Sequence, residues 1–234
     1  MKKERRKPFE LFVVGVGLVF VFVLWTILIQ TVDVRAVGVN GTNVGFASIN
    51  TWFHKQTGVN MTLYTITDWL GLVPIFICFF FGIVGLTQLI KRKKMLKVDS
   101  DIIFLGIYYV IVIVAYLAFE AIPINYRPIL INGFMETSYP SSTTLLVLGV
   151  MPTLIFQANR RLKSAVAKRI TAISAIVFSF FMVIGRVVSG VHWITDIVGS
   201  VLISAGLFCI YKAVVLLKKQ TRGKLWNLVK NFSN

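Results

Sequence analysis

Residues 1–30 read MKKERRKPFELFVVGVGLVFVFVLWTILIQ, a basic segment followed by an apolar run from Phe9 to Gln30. Because about 20 helical residues cross the ~30 Å hydrocarbon core of a bilayer, this run is long enough to span a membrane. It is too long for the apolar region of a cleaved signal peptide, and no small-residue cleavage site follows it. The stretch therefore predicts a retained transmembrane helix.

Five further apolar runs follow along the chain. Hydrophobic residues make up 56% of the sequence and charged residues 15%, and the mean hydropathy is +0.79. This composition excludes a disordered chain, and it would give a water-soluble globule far too much apolar surface. We predict an all-α, polytopic membrane helix bundle, a single integral membrane domain over residues 1–234, with six transmembrane helices at about 9–30, 68–90, 102–123, 143–159, 170–188 and 194–217.

The formal charge of +16 comes mainly from basic clusters that lie between these runs. All but four of the 25 Lys and Arg residues fall in 1–7, 91–97, 160–169 and 212–230. Cytoplasmic loops of membrane proteins carry such an excess, so we expect both termini on the cytoplasmic side. The basic clusters then mark the cytoplasmic ends of the helices and contact lipid headgroups. The predicted partners are therefore membrane lipids rather than nucleic acid.

This topology places residues 31–67 in a long outer loop, where we expect short interfacial helices and turns. His54 in this loop has no acidic or cysteine neighbour, and we interpret it as a solvated surface residue. Ionisable and hydroxyl residues instead gather at four predicted helix ends on the outer side, in the segments 119–128, 139–144, 184–190 and 191–196.

Two features of these outer segments favour an anion as ligand. The stretch Pro140-Ser-Ser-Thr-Thr144 combines a helix-start proline, hydroxyl caps and unpaired backbone N–H groups at the positive end of a helix dipole. Arg127 and Arg186 carry planar donors suited to bidentate contact with phosphate oxygens. Taken alone, the first stretch is also typical of an ordinary helix cap, and Arg186 of a residue snorkelling near a helix end.

His192 and Asp196 are one helical turn apart and share a face of the sixth predicted helix. An aspartate in an apolar helix is costly to bury, and holding an imidazole N–H lowers that cost. Such a pairing fixes the tautomer and leaves the other ring nitrogen free as a nucleophile or base. The alternative is a structural His–Asp pair without chemistry.

These residues resemble a motif of the type 2 phosphatidic acid phosphatase and vanadium haloperoxidase superfamily. Its third motif reads S-R-x-x-x-x-x-H-x-x-x-D, and here Gly185-Arg186 is followed at the same spacing by His192 and Asp196. Only the leading serine is changed. The order of the motifs, their spacing and the six-helix topology agree with the membrane lipid phosphatase branch.

The first two motifs of that superfamily are present in altered form. P-S-G-H appears as Pro140-Ser141-Ser142-Thr143, with threonine in place of the histidine. K-x-x-x-x-x-x-R-P appears as Glu120, six residues and then Arg127-Pro128, with glutamate in place of the lysine. The resemblance therefore implies a relative whose site diverges in these two motifs.

The resemblance also implies roles for individual residues. His192 would be the nucleophile that takes the phosphoryl group as a phosphohistidine, and Asp196 would orient it. The phosphate oxygens would be held by Arg127, Arg186, Ser141, Ser142 and Thr143. The resemblance implies no metal and no other cofactor.

Two of the substitutions bear on the chemistry. Thr143 replaces the family's general acid, a group whose proton transfer is worth about 10²–10⁴-fold in rate. Glu120 would repel a phosphate unless an arginine neutralises it. Glu120 or Glu136, in protonated form, is a possible replacement acid. A phosphate that leaves from a diphosphate is less basic than an alkoxide, so diphosphate hydrolysis should suffer least.

We therefore predict a membrane phosphatase that acts on a lipid phosphate or isoprenoid diphosphate at the extracytoplasmic face of a bacterial plasma membrane. The alternative is a weak or inactive relative that binds lipid headgroups or serves as a structural membrane partner. A transporter is disfavoured, because the ionisable groups cluster at one face rather than in mid-membrane. No oligomeric state is predicted.

Overall fold

The computed structural model describes the backbone of residues 2–232 and the side chains of residues 7–221. Within these residues the regular structure is helical, and the only β-pairings are isolated bridges. The helices are α1 (Lys2–Thr31), α2 (Ala47–Thr57), α3 (Met61–Leu70), α4 (Leu72–Arg92), α5 (Ser100–Ala121), α6 (Ser142–Arg161), α7 (Ala165–Val188) and α8 (Ile194–Phe232).

Six helical segments are long and apolar enough to cross a membrane, which confirms the predicted all-α architecture. They are Lys7–Thr31, Met61–Arg92, Ser100–Ala121, Ser142–Arg161, Ala165–Val188 and Ile194–Thr221. The second begins earlier than the predicted residue 68, because α3 continues into α4 with only Gly71 between them. The sequence predicts most of α3 to lie in the outer loop because many of its residues are polar.

The outer segment between α1 and α4 consists of helices and turns, as expected. A short 3-10 turn at Val39–Gly41 lies between two paired residues, Arg35 and Val44, and is followed by α2 and α3. The backbone N–H of Asn60 donates to the carbonyl of Ser189 at 3.0 Å. The segment therefore folds back onto the loop that joins α7 to α8.

Helix α6 forms the centre of the bundle. It packs against α4, α5, α7 and α8, and it is the most buried of the six spans. Interhelical hydrogen bonds satisfy polar groups inside the span: Tyr108 donates to the carbonyl of Gly149 at 2.8 Å, and Gln157 to the hydroxyl of Tyr211 at 2.8 Å. Such bonds fix the position of α6 among its neighbours in an apolar surrounding.

Helices α1 and α8 make the most extensive contact of the bundle. A Cβ on Gly15 would lie 2.9 Å from the carbonyl oxygen of Gly206, and a Cβ on Gly206 would lie 3.0 Å from that of Gly15. Small residues of this kind allow two membrane helices to approach closely. The contact anchors α8, whose first turn carries Asp196.

The two ends of the bundle differ in their chemistry. At one end Arg92 pairs with Asp99 at 2.8 Å and Arg161 with Asp101 at 3.0 Å, so the basic clusters at 91–97 and 160–169 lie together. The polar ends of α5 and α7 and the start of α6 lie at the opposite end. The assignment of the basic end to the cytoplasm stays a prediction.

Candidate active site

His192 lies in the turn between α7 and α8 and is 5% exposed. Its Nδ1 is 3.1 Å from the carbonyl oxygen of Ser138, which lies in the loop before α6. Because a carbonyl can only accept, this contact assigns the proton to Nδ1 and leaves a lone pair on Nε2. Nε2 is buried and has no hydrogen-bond partner. A neutral imidazole with an available nitrogen is the form that a nucleophile requires.

The outer segment holds the turn that carries His192. Gly190 has φ +66°, and a Cβ there would lie 1.8 Å from the carbonyl oxygen of Gly58, so only glycine fits. The ring of His54 packs edge-on against Trp193 with their centroids 5.6 Å apart. The interpretation of His54 as a solvated residue is wrong, because the outer segment folds back over this turn and half-buries it.

Asp196 lies in the first turn of α8 and is fully buried. Its Oδ2 accepts the backbone N–H of Trp193 at 2.9 Å and lies 3.6 Å from Nδ1 of His192. The expected pair is thus adjacent, but the nearer acceptor for the imidazole N–H is the carbonyl of Ser138. Asp196 accepts a backbone N–H at the helix start, and its carboxyl group lies 3.6 Å from the imidazole.

Burial lowers the pKa of His192 well below its ordinary value, and the positive charges of Arg127 and Arg186 lower it further. The hydrogen bond to Ser138 opposes this shift. The imidazole is therefore neutral at ordinary pH.

Arg127 and Arg186 are brought together although one precedes α6 and the other lies near the end of α7. Both guanidinium groups lie over the ring of Tyr64, at 5.6 Å and 5.0 Å from its centroid. Two buried positive charges that share one aromatic ring are costly unless counter-charges or an anion neutralise them. Two carboxylates supply such counter-charges: Glu136 is 3.1 Å from Arg127, and Asp68 is 2.8 Å from Arg186.

Several donors of these two arginines remain without an acceptor. Nη1 of Arg127 and both Nε and Nη1 of Arg186 are buried and form no hydrogen bond. Arg186 is only 1% exposed. Buried donors of a charged group are rarely left unpaired, since each costs the full desolvation of that group. Together with Nε2 of His192, they form a group of buried, unpartnered polar atoms whose chemistry suits phosphate oxygens.

The start of α6 contributes less than expected through its hydroxyl groups. Ser141 is fully buried, and its hydroxyl donates to that of Thr144 at 3.0 Å. Thr143 contacts Nη2 of Arg186 through its hydroxyl, and Ser142 is half-buried at the first position of the helix. The first backbone N–H groups of α6 remain the anion-binding feature of this segment.

The two glutamates singled out from the sequence differ in position. Glu136 pairs with Arg127 and is therefore part of the arginine cluster. Glu120 is exposed and accepts a hydrogen bond from Thr137 at 3.2 Å. Of the two, Glu136 is the carboxylate that neutralises the motif arginine.

Sequence reasoning missed three contributors: Tyr64, Asp68 and Ser138. Asp68 carried a signal, since a carboxylate at the start of a predicted span is costly without a partner. Tyr64 and the Ser138 carbonyl carried none, because cation–π contacts and backbone acceptors depend on tertiary packing. Among the side chains that the structure describes, no group of three or more His, Cys, Asp and Glu residues could hold a metal ion.

The protein is thus a bundle of apolar helices in which a buried imidazole lies beside two buried arginines. The family model of the PAP2 superfamily matches residues 121–220, the segment that contains His192 and both arginines. The resemblance that the motifs predicted is thereby confirmed. Tyr64 and Asp68 lie outside this segment.

The fold is similar to that of a solved relative. The crystal structure of the first transmembrane PAP2 type phosphatidylglycerolphosphate phosphatase from Bacillus subtilis matches with a TM-score of 0.58. The two sequences are 18% identical, and the match covers 88% of this chain and 96% of that one. No curated protein matches the chain. The protein therefore has the fold of a membrane PAP2-type phosphatase.

Proposed function

We propose that the protein is a lipid phosphatase that uses His192 as its nucleophile. The observation that carries this proposal is the neutral, unpartnered Nε2 of His192 beside the unpaired donors of Arg127 and Arg186. A nucleophile and anion-stabilising donors are the two parts that phosphoryl transfer requires, because catalysis there is mainly positioning and electrostatic stabilisation.

In the first step, Nε2 of His192 attacks phosphorus, the P–O bond to the leaving group breaks, and a phosphohistidine forms. The two arginines stabilise the charge on the transferring oxygens. In the second step, water attacks the phosphohistidine, and the N–P bond breaks to regenerate the imidazole. Asp196 and the Ser138 carbonyl hold the ring in one tautomer through both steps.

The leaving group selects the substrate class. Thr143 lies against Arg186 in the position of the family's general acid, and a threonine hydroxyl is too weak an acid for that role. A phosphate leaving from a diphosphate needs less protonation than an alkoxide. We therefore favour an isoprenoid diphosphate or similar lipid diphosphate over a phosphate monoester.

An apolar groove supports a substrate with a long tail. A cavity of about 1030 Å³ lies between α4 and α5. Its lining is almost entirely apolar and includes Gly82 and Gly106. Tyr116 lines this groove and also a crevice that contains Glu120 and Ser142. The groove therefore extends from the basic loop at Met95 towards the start of α6.

The proposed location of the site is the extracytoplasmic face of a bacterial plasma membrane. In a background without Cys78 and Cys209, an impermeant thiol reagent applied to intact cells should label Asn43→Cys in the outer segment. It should not label Leu96→Cys, which lies in the basic loop after α4 and is exposed. The reverse pattern would contradict the proposed orientation.

The function is tested by phosphate release from purified protein. A panel of lipid diphosphates and monophosphates should be hydrolysed by the native protein and not by a His192→Ala variant. Lys55→Ala is the control, because Lys55 lies on α2 and is exposed. Equal release by the native and His192→Ala proteins would contradict the proposal.

The second candidate function is binding of lipid headgroups without turnover. The changed motif positions Glu120 and Thr143 favour it, as does the carboxylate of Asp68 at Arg186. It predicts saturable binding of a phosphorylated lipid by both the native protein and His192→Ala, with no phosphate released by either.

A further inference from the structure

One carboxylate from outside the superfamily motifs lies beside Thr143, the residue that replaces the motif histidine. Oδ1 of Asp68 accepts from Nη2 of Arg186 at 2.8 Å, and the hydroxyl of Thr143 contacts the same nitrogen. Asp68 and Thr143 therefore flank a single guanidinium nitrogen. Residue 143, where the family motif would place its general acid, therefore has a carboxylate neighbour on α3.

The packing of α3 against the start of α6 brings Asp68 and Thr143 close together. A Cβ on Gly71, the residue between α3 and α4, would lie 3.3 Å from Cγ2 of Thr143 and 2.8 Å from the carbonyl oxygen of Asp68. The last turn of α3 thus lies directly on the start of α6.

We propose that Asp68 is the general base of the hydrolytic step, a role that rests on the proposed phosphatase function. Asp68 accepts a proton from the water that attacks the phosphohistidine. The new bond joins the water oxygen to phosphorus, the N–P bond breaks, and its electron pair returns to Nε2 of His192. The proton then passes from Asp68 to solvent.

The environment of Asp68 suits a base. Nη2 of Arg186 donates to Oδ1 at 2.8 Å and fixes the carboxylate beside the arginine cluster. Among the described residues, the carboxylate has no other side-chain hydrogen bond, so Oδ2 can accept from water. The side chain is 56% exposed, which gives the proton a route to solvent. A base at this position agrees with a diphosphate substrate, whose leaving phosphate needs less protonation than an alkoxide.

The test is a comparison of Asp68→Asn with the native protein on a radiolabelled lipid diphosphate. Loss of the base should slow steady-state turnover by about 10²–10⁴-fold while the first step persists. Acid-labile phosphate should therefore accumulate on the protein, with a burst near one equivalent per site. Asp33→Asn is the matched control, since Asp33 also pairs with an arginine, Arg35, but lies outside the site.

Rescue distinguishes a base from a structural ion pair. Adding Thr143→His to Asp68→Asn should restore turnover and remove the accumulated phosphoenzyme, because an imidazole beside Arg186 can accept the same proton. Native-like or increased turnover of Asp68→Asn would overturn the proposal, as would equal loss of burst and turnover, which would make Asp68 a positioning residue for Arg186. Turnover that does not depend on His192 would instead overturn the proposed function, and this role with it.

Discussion

Oδ1 of Asp68 lies 2.8 Å from Nη2 of Arg186, although the two residues are 118 positions apart in the chain. This contact joins α3 to α7 and supplies a counter-charge to an arginine that is 1% exposed. A buried arginine without such a partner would be strongly destabilising. The charge balance of the site thus depends on a helix outside the segment that carries the superfamily motifs.

Arg186 should not be replaceable by lysine. Its Nε and Nη1 are buried and unpaired, and an ammonium group cannot present donors in this planar geometry. We expect Arg186→Lys to lower kcat by about 10²–10³-fold, the effect of removing one preorganised donor to a developing negative charge. Phosphate release measured at saturating lipid, with the solvent-exposed Arg35→Lys as control, checks this. A variant within a few-fold of the native rate would contradict it.

The pH dependence should reflect the lowered pKa of His192. Burial and the two arginine charges oppose protonation, so the imidazole stays neutral and nucleophilic as pH falls through its ordinary value of about 6.5. The acid limb of kcat/KM should therefore lie below pH 6.5. Replacing Arg127 with Gln removes one of the opposing charges and should move that limb towards higher pH.

The lowered pKa of His192 should also make the stability of the protein depend on pH. Below about pH 6.5 the histidine binds a proton in the unfolded chain but not in the folded one, so falling pH favours unfolding. Thermal unfolding of the native protein should therefore move to lower temperature on acidification. His192→Gln, which cannot titrate, should show a smaller change over the same pH range.

Much of the fold and part of the site could be predicted from the sequence. Long apolar runs identify membrane helices because the bilayer fixes their length, and the spacing from Arg186 to His192 and Asp196 is local. The start of the second span was misplaced, since the threonines of α3 before residue 68 resemble loop residues. Thr65 and Thr67 instead donate to backbone carbonyls of their own helix, which satisfies their hydroxyl groups there.

The remaining contacts depend on how distant segments meet. The hydrogen bond of His192 to the Ser138 carbonyl could not be predicted, because any backbone carbonyl is a possible acceptor until the loop before α6 is placed. The position of Tyr64 over both arginines likewise follows from the folding back of the outer segment. Sequence spacing carries no information about either contact.

The apolar groove should determine affinity for the lipid tail. Gly106 lines the groove between α4 and α5, and a Cβ there would meet no atom within 4 Å, so a larger side chain can be introduced without disturbing the helix contacts. We expect Gly106→Phe to raise KM for a long-chain lipid diphosphate several-fold and to leave a short-chain analogue nearly unchanged. Gly17→Phe on α1 is the matched control, because a Cβ at Gly17 also meets no atom within 4 Å. Equal effects on both chain lengths would contradict a tail-binding role.

Restoring an imidazole at residue 143 should change substrate preference. Thr143 lies against Arg186 at the start of α6, where a histidine could protonate the leaving oxygen in the first step. We expect Thr143→His to accelerate hydrolysis of lipid monophosphates strongly, because an alkoxide leaving group needs a proton, and of lipid diphosphates only slightly. The rates of both classes, measured on lipids with the same tail, give the comparison. A gain of the same size on both classes would contradict the leaving-group argument, and the preference for a diphosphate substrate would lose its physical basis.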